Sequence, residues 1–370
     1  MLFLALRNLV VEKTRFAFSA AGIGFAVFLM TILLGLYQGW NNKIGGFVED
    51  VEADIWVARQ GATDFIVAAS ILPDDAAPGI AARPGVTSVH PIIVRPMLFY
   101  NGERETVMHL VGYDVSSGVA GPVKCKKGSC EPQGMQIVVD EVLARTRDVQ
   151  IGDVLRSGSA EIDVVGISSG GNFAFTTVGF MDLEDVKGFL AEMRTISTFF
   201  LVDLEDTADP EEWIADLEAS DPNIAAFTSD EFASSTRSRI LDDVVPIMLL
   251  IVGLAFVVGI AITSLTIFTT TVEKTREFAV MKAIGFNNMD LFQLVLFQSF
   301  LIGLLGFVFG AILTLILSRF IDRIVAQFIV FVRFEDLGLV LIATLFMAFL
   351  AAIVPARRVG SLDPGAVFRG

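Results

Sequence analysis

Residues Glu273-Lys-Thr-Arg-Glu-Phe-Ala-Val-Met-Lys-Ala-Ile-Gly285 form a charged stretch between two apolar runs that are each long enough to cross a membrane. Glu273 and Glu277 are four residues apart, and the opposite side of the predicted helix is apolar. That apolar side consists of Phe278, Met281, Ile284 and Phe286. The pattern predicts a short amphipathic helix between two membrane-spanning helices. Such a helix either lies on the lipid surface or binds a soluble partner.

The whole chain is unusually apolar for its 370 residues, with 54% hydrophobic residues and a mean hydropathy of +0.66. Four segments have the length and composition of membrane-spanning helices, namely 16–38, 247–272, 291–317 and 337–354. The first is too long for a signal-peptide core and lacks a cleavage-site pattern, so we expect it to be retained. No ionisable residue lies deep inside these segments, which argues against a secondary transporter or a channel.

Basic residues predict the orientation of the four spans. They flank the spans on one side, at Arg7, Lys13, Arg15, Lys274, Arg276, Lys282, Arg357, Arg358 and Arg369. The positive-inside rule places these positions, and both termini, in the cytoplasm. Residues 40–243 then lie outside, and they contain 34 acidic and 15 basic residues. This excess of negative charge excludes nucleic acid as a partner.

The segment between the first two spans is predicted to be a mixed α+β domain. Strand-like runs alternate with turns from Pro84 onwards, with a hairpin signal at Asn101-Gly102 and helical patterns at 140–147 and 210–220. Close helix packing in the membrane is predicted from Gly35, Gly303, Gly306 and Gly310. The expected order is a cytoplasmic interfacial helix at 1–15, a first span at 16–39, the external domain with its stalk at 40–243, a second span at 244–272, a cytoplasmic connection at 273–290, a third span at 291–318, a short external loop at 319–336, a fourth span at 337–355 and a cytoplasmic tail at 356–370.

Several motifs together resemble the FtsX-like, or MacB-type, permeases of ABC transporters. The 273–285 stretch is similar to the coupling segment of that family, and the C-terminal sequence Pro355-Ala-Arg-Arg-Val-Gly-Ser-Leu-Asp-Pro-Gly-Ala-Val-Phe-Arg369 is similar to its ending. The external segment also follows the family order at 84–91, 111–113, 138–144, 151–154 and 164–167, and departs from it in an insert at 115–132. Residues 22–30 and 54–57 are most similar to the DevC-type subgroup.

The resemblance implies which residues couple the membrane helices to an ATPase. The implied coupling residues are Glu273, Lys274, Arg276, Glu277, Phe278, Met281, Lys282, Ile284 and Gly285, with Met281 and Ile284 as apolar anchors. The implied tail motif is Pro355, Arg357, Arg358, Asp363 and Pro364. The ATP and Mg²⁺ belong to a separate ATPase subunit, because the sequence contains no phosphate-binding loop of the type Gly-x-x-x-x-Gly-Lys-Ser/Thr.

The implied assembly is a homodimer, or a dimer with a related permease, above two ATPase subunits. A membrane-fusion partner and an outer-membrane channel are implied by the DevC-like features. The family works by mechanotransmission, and we expect export of a lipid, glycolipid, peptide or other hydrophobic substrate. Three alternatives remain: a lipoprotein-releasing permease, an FtsX-type regulator of an external cell-wall hydrolase, and a membrane receptor without an ATPase.

The only two cysteines, Cys125 and Cys130, close a short loop in the external segment. In an oxidising compartment this spacing predicts a disulfide, with a pair of reduced thiols as the alternative. Zinc is not expected, because His90 and His109 are not spaced as ligands with the cysteines. No Ser, His and Asp cluster has hydrolase-like spacing, so no enzymatic activity is expected of this chain.

Overall fold

A computed structural model describes residues 13–66, 70–170, 176–324 and 330–360. The chain divides into a helical unit and a sheet unit. The helical unit comprises the residues up to Gln38, Val244–Arg323 and the residues from Val330, and the sheet unit comprises Gly39–Asp243. The described α-helices are α1 Lys13–Lys43, α2 Gly46–Asp50, α3 Ala77–Ala81, α4 Glu141–Arg147, α5 Leu183–Phe189, α6 Pro210–Ser220, α7 Ser229–Glu273, α8 Thr275–Ala283, α9 Asn288–Ile324 and α10 Phe334–Gly360.

Four of these helices are long and apolar enough to cross a membrane, namely α1, α7, α9 and α10. The predicted fold class, four spans with an α+β domain between the first and second, is confirmed. Helix α7 extends without interruption over 45 residues and includes Pro246. Small residues bring α9 against α1 in the helical unit, because a Cβ on Gly306 would lie 2.6 Å from the Cβ of Ile23.

Gly35 packs against a loop rather than against a neighbouring helix. The Phe331 N–H donates to the Gly35 carbonyl over 2.9 Å, and a Cβ on Gly35 would lie 2.7 Å from Val330. The small residue therefore makes room for the chain that leads into α10, which helical spacing alone did not indicate.

The sheet unit contains one ten-stranded sheet. Its order is β12-β1-β11-β3-β4-β9-β6-β8-β5, with β7 paired to β3 and β8, and β2 and β10 form a separate pair. The strands are β1 Ile55–Arg59, β2 Leu72–Pro73, β3 Val86–Asn101, β4 Arg104–Tyr113, β5 Lys124–Gly128, β6 Gln136–Asp140, β7 Val154–Ser157, β8 Ala160–Ser169, β9 Thr177–Asp182, β10 Ile196–Ser197, β11 Phe199–Leu204 and β12 Ile224–Thr228.

The predicted hairpin exists, but its turn is one residue later than the sequence indicated. Asn101 pairs with Arg104, so the turn residues are Gly102 and Glu103, and Gly102 has a φ of +62°. The separate strand-like runs before it merge into the single 16-residue strand β3. Strand β3 pairs with β11 over residues 86–92 and with β4 over residues 93–101. This pairing keeps the polar residues between the predicted runs within one strand.

The first turns of α7 belong to the core of the sheet unit. Phe232 is fully buried, and its ring stacks on Trp56 and Phe227 at centroid distances of 5.1 and 5.4 Å. Phe199 approaches Phe232 edge-on at 5.6 Å. Buried aromatic pairs of this kind add to the free energy of area burial, so the start of α7 is firmly held.

Candidate functional site

The 273–290 connection of the helical unit begins where α7 ends, at Glu273, and α8 follows after one residue. The Thr275 hydroxyl donates to the Val272 carbonyl over 2.6 Å, and the Phe278 N–H donates to the Lys274 carbonyl over 3.0 Å. The hydroxyl satisfies a carbonyl that the end of α7 leaves without a helical partner. These two hydrogen bonds join the end of α7 to the start of α8.

Gly285 terminates α8. The Gly285 N–H donates to the Lys282 carbonyl and the Phe286 N–H to the Met281 carbonyl, both over 3.1 Å, and Gly285 has a φ of +111°. These two bonds and the positive φ define a Schellman motif, in which Met281 and Phe286 occupy the positions that make its apolar contact. The Ile-Gly pair of the sequence is thus a stop signal for a nine-residue helix.

Helix α9 starts with a reciprocal cap. The Asn287 side chain accepts from the Asp290 N–H, and the Asp290 carboxylate accepts from the Asn287 N–H, each over 2.8 Å. This is the capping-box arrangement, which satisfies two backbone donors at once. Both ends of the turn between α8 and α9 are therefore specified by local sequence.

Helix α8 has a buried inner face and an exposed outer face. Phe278 is 2% exposed, and Met281 and Phe286 pack with it against the core of the helical unit. Ile284, in contrast, is 70% exposed and Val280 is 42% exposed. The outer face consists of Arg276, Glu277, Val280, Ala283 and Ile284.

The apolar side that the sequence pattern predicted is therefore split between the inner and the outer face of α8. Phe278, Met281 and Phe286 stabilise the helical unit itself, and Ile284 alone of the four points away from its core. Val280, which the sequence pattern did not single out, lies four residues before Ile284 on the outer face. Of the two predicted anchors, Met281 is half-buried within its own chain and Ile284 is available.

Two predicted coupling or tail residues make contacts inside the helical unit. The Lys282 ammonium donates to the Gly360 carbonyl over 2.8 Å, which joins α8 to the end of α10. The Arg358 guanidinium lies 5.6 Å from the centre of the Phe268 ring of α7, a cation–π contact. Pro355 is buried within α10, whereas Arg357 is exposed.

The remaining predicted residues lie at the start of the connection, in the C-terminal tail and in the sheet unit. Glu273 is exposed, and Lys274 is half-buried between α7 and α8. Asp363 and Pro364 lie outside the described residues, as does nearly all of the predicted interfacial helix at 1–15. In the sheet unit, Cys125 and Cys130 are joined by a disulfide.

Asp140 and His109 are buried ionisable residues of the sheet unit that had no role assigned from sequence. Asp140 is 1% exposed, and its two carboxylate oxygens accept from the Leu143 and Val178 N–H groups over 2.6 and 2.7 Å. Burial, which outweighs these hydrogen bonds, raises the pKa of Asp140 to about 6. Through the two hydrogen bonds, Asp140 caps α4 and links it to β9.

His109 is also buried, at 5% exposure. Its Nδ1 lies 2.7 Å from the Thr176 hydroxyl and its Nε2 lies 3.2 Å from the Ile66 carbonyl. Burial lowers the pKa of His109. Within the described residues no group of three or more His, Cys, Asp or Glu side chains could hold a metal ion.

Comparison with known proteins matches two family models. The MacB-like periplasmic core domain matches residues 16–220, and the FtsX-like permease C-terminal model matches residues 249–364. An uncharacterised ABC transporter permease of Mycobacterium tuberculosis is 24% identical over 100% of both chains. The macrolide export ATP-binding/permease protein MacB of Acinetobacter baylyi is 23% identical over 80% of this chain and 47% of its own length. The crystal structure of the periplasmic region of MacB from Actinobacillus actinomycetemcomitans superposes with a TM-score of 0.39 at 13% identity, covering 51% of this chain and 94% of that one.

Proposed function

The chain belongs to the MacB- and FtsX-like permeases of ABC transporters, and from that membership we propose that it works by mechanotransmission. ATP hydrolysis by a separate subunit would move the 273–290 connection, and α7 would carry that movement to the sheet unit. A multi-pass permease of this class requires an ATPase partner. In this proposal ATP and Mg²⁺ bind to that partner.

Helix α7 is the observation that carries the proposal. Its 45 residues correspond to a length of about 65 Å. One end is held in the sheet unit by the Trp56, Phe199 and Phe227 rings around Phe232. The other end is Glu273, one residue before α8. In this proposal, displacement of α8 would be transmitted along this continuous helix, which includes Pro246.

The outer face of α8 is the proposed docking surface for the ATPase. Val280 and Ile284 provide exposed apolar area, and Arg276 and Glu277 surround them with charge. Apolar anchors within a polar rim are the usual anatomy of a protein interface. The Schellman motif and the capping box hold this face at a defined angle, as a docking element requires.

The transported substrate is proposed to be hydrophobic, such as a lipid, glycolipid or peptide. In support, no ionisable residue lies deep in the four apolar segments, so they contain no charged path for a polar solute. We further propose a plasma-membrane location with cytoplasmic termini, and assembly as a homodimer or with a related permease. A membrane-fusion adaptor and an outer-membrane channel would complete an export route.

Softening α7 tests mechanotransmission without touching either end. Asp242 and Asp243 are exposed residues of α7, and replacing both by Gly costs about 1 kcal/mol each in helix stability relative to Ala. The matched control is the double Ala variant, which removes the same charges and keeps the helix stiff. Hydrogen–deuterium exchange of the sheet unit is compared between the ADP-bound and vanadate-trapped complexes.

The wild type and the double Ala variant should show a nucleotide-dependent change in exchange near Phe232. The double Gly variant should lose that change and still hydrolyse ATP. An equal change in the double Gly variant would contradict transmission through α7.

A further inference from the structure

Strand β5 is a basic element in an acidic unit. Residues 40–243 contain 34 acidic and 15 basic residues, yet residues 115–130 contain three lysines and no acidic residue. The three lysines, Lys124, Lys126 and Lys127, all lie on β5, and all five residues of that strand are exposed. Three of the 15 basic residues thus lie on one five-residue strand, within a segment that contains no acidic residue.

The same strand is an edge of the ten-stranded sheet. It pairs with β8, with Lys124 opposite Ser169, Lys127 opposite Ile167 and a register shift between Cys125 and Lys127, and it pairs with no described strand on its other side. An edge strand leaves a row of backbone N–H and C=O groups that a further strand can pair with. Recognition by strand addition uses such an edge for affinity and its side chains for specificity.

A disulfide and an ion pair restrain the conformation of β5. The Cys125–Cys130 disulfide closes the strand onto the loop that follows, and the Lys126 ammonium forms an ion pair with Glu141 of α4. Lys124 and Lys127 form no ion pair within the described residues. A preorganised edge with two available ammonium groups loses little conformational entropy on binding.

We propose that β5 is a docking edge for an extended, acidic segment of a partner protein. Carboxylates of the added strand would face Lys124 and Lys127 while its backbone pairs with the free edge of β5. A second copy of β5 does not fit, because opposed lysines repel one another. An anionic membrane fits less well, since the acidic excess of residues 40–243 would repel an extended anionic surface. This proposal is independent of how α8 binds the ATPase.

The test uses the full-length protein in phosphatidylcholine nanodiscs and a fluorescein-labelled peptide of alternating Asp and Val. Fluorescence anisotropy should show binding that weakens at high salt. The variant K124E/K127E should bind about tenfold more weakly, since two exposed ion pairs become repulsive. The neutral variant K124Q/K127Q should fall between the two. The matched control R104E/R194E reverses two exposed arginines elsewhere in the sheet unit and should bind as the wild type does.

Two further arms distinguish strand addition from a lipid surface. N-methylation of every backbone nitrogen in the peptide removes the donors on both of its edges and should abolish binding. Equal binding of the N-methylated peptide, or equal binding by K124E/K127E and the wild type, would overturn the proposal. Lysine-dependent capture of the nanodiscs by phosphatidylglycerol vesicles, without peptide binding, would assign β5 to lipid and also overturn it.

Discussion

Replacing Ile284 by Asp should separate the ATPase from the permease without harming the permease itself. Ile284 is 70% exposed, so the charged side chain stays hydrated in the isolated chain and should not change its folding. At a docked interface the same carboxylate would be buried without a partner. Loss of a central anchor costs at least about 2 kcal/mol, which corresponds to an affinity about 30-fold weaker.

Met281→Asp is the informative comparison, because Met281 packs against the core of the helical unit. The introduced carboxylate would enter an apolar cluster in the isolated chain, so the purified variant should also have a lower thermal stability than the wild type. Arg276→Ala, on the rim of the outer face, should change the rate and salt dependence of association more than its strength.

The assay is co-purification of the ATPase with each variant, followed by titration of the purified subunits and thermal unfolding of the permease. Wild-type ATPase affinity together with wild-type transport in Ile284→Asp would refute docking through the outer face of α8. A helix that merely rests on lipid predicts that outcome, with weakened lipid contact and an intact complex.

Three further predictions concern the sheet unit and the topology. Protein from its native membrane should resist alkylation at Cys125 and Cys130 until it is reduced, and loss of the disulfide should cost about 2 kcal/mol because the loop is short; free alkylation of both thiols, detected by mass spectrometry, would contradict this. Single cysteines at Asn101 and Asn287, in a background without the native pair, should react with an impermeant thiol reagent from opposite sides of the membrane, and equal labelling from outside would refute the topology. Burial raises the pKa of Asp140 to about 6, so the folded state binds that proton more tightly than the unfolded chain, and the contribution of Asp140 to the free energy of unfolding should fall as the pH rises from 3.8 to about 6. Urea unfolding of the wild type and of Asp140→Asn should differ by this pH-dependent contribution, and an identical pH dependence of the two would exclude it.

Sequence reasoning reached the local elements of the 273–290 connection and missed their long-range contacts. The stop at Gly285 follows from a residue that adopts positive φ without strain. The bond from Lys282 to the Gly360 carbonyl joins positions 78 apart in the chain, and no local pattern indicates it. Asp140 appeared in a motif, but its tie to Val178 depends on the neighbouring strand.

Composition and hydrophobic pattern are enough to predict the four spans and the class of the external domain. A run of about 20 apolar residues can satisfy its backbone in a bilayer only as a helix, so composition decides the structure. The buried side of α8 depends on how the helices pack together, because an amphipathic pattern does not specify which neighbouring helix covers it. Phe278 and Met281 pack against the core of the helical unit, and Ile284 remains exposed. The sheet order is decided in the same way, since its pairings join strands far apart in the chain, and their energies depend on contacts that exist only after folding.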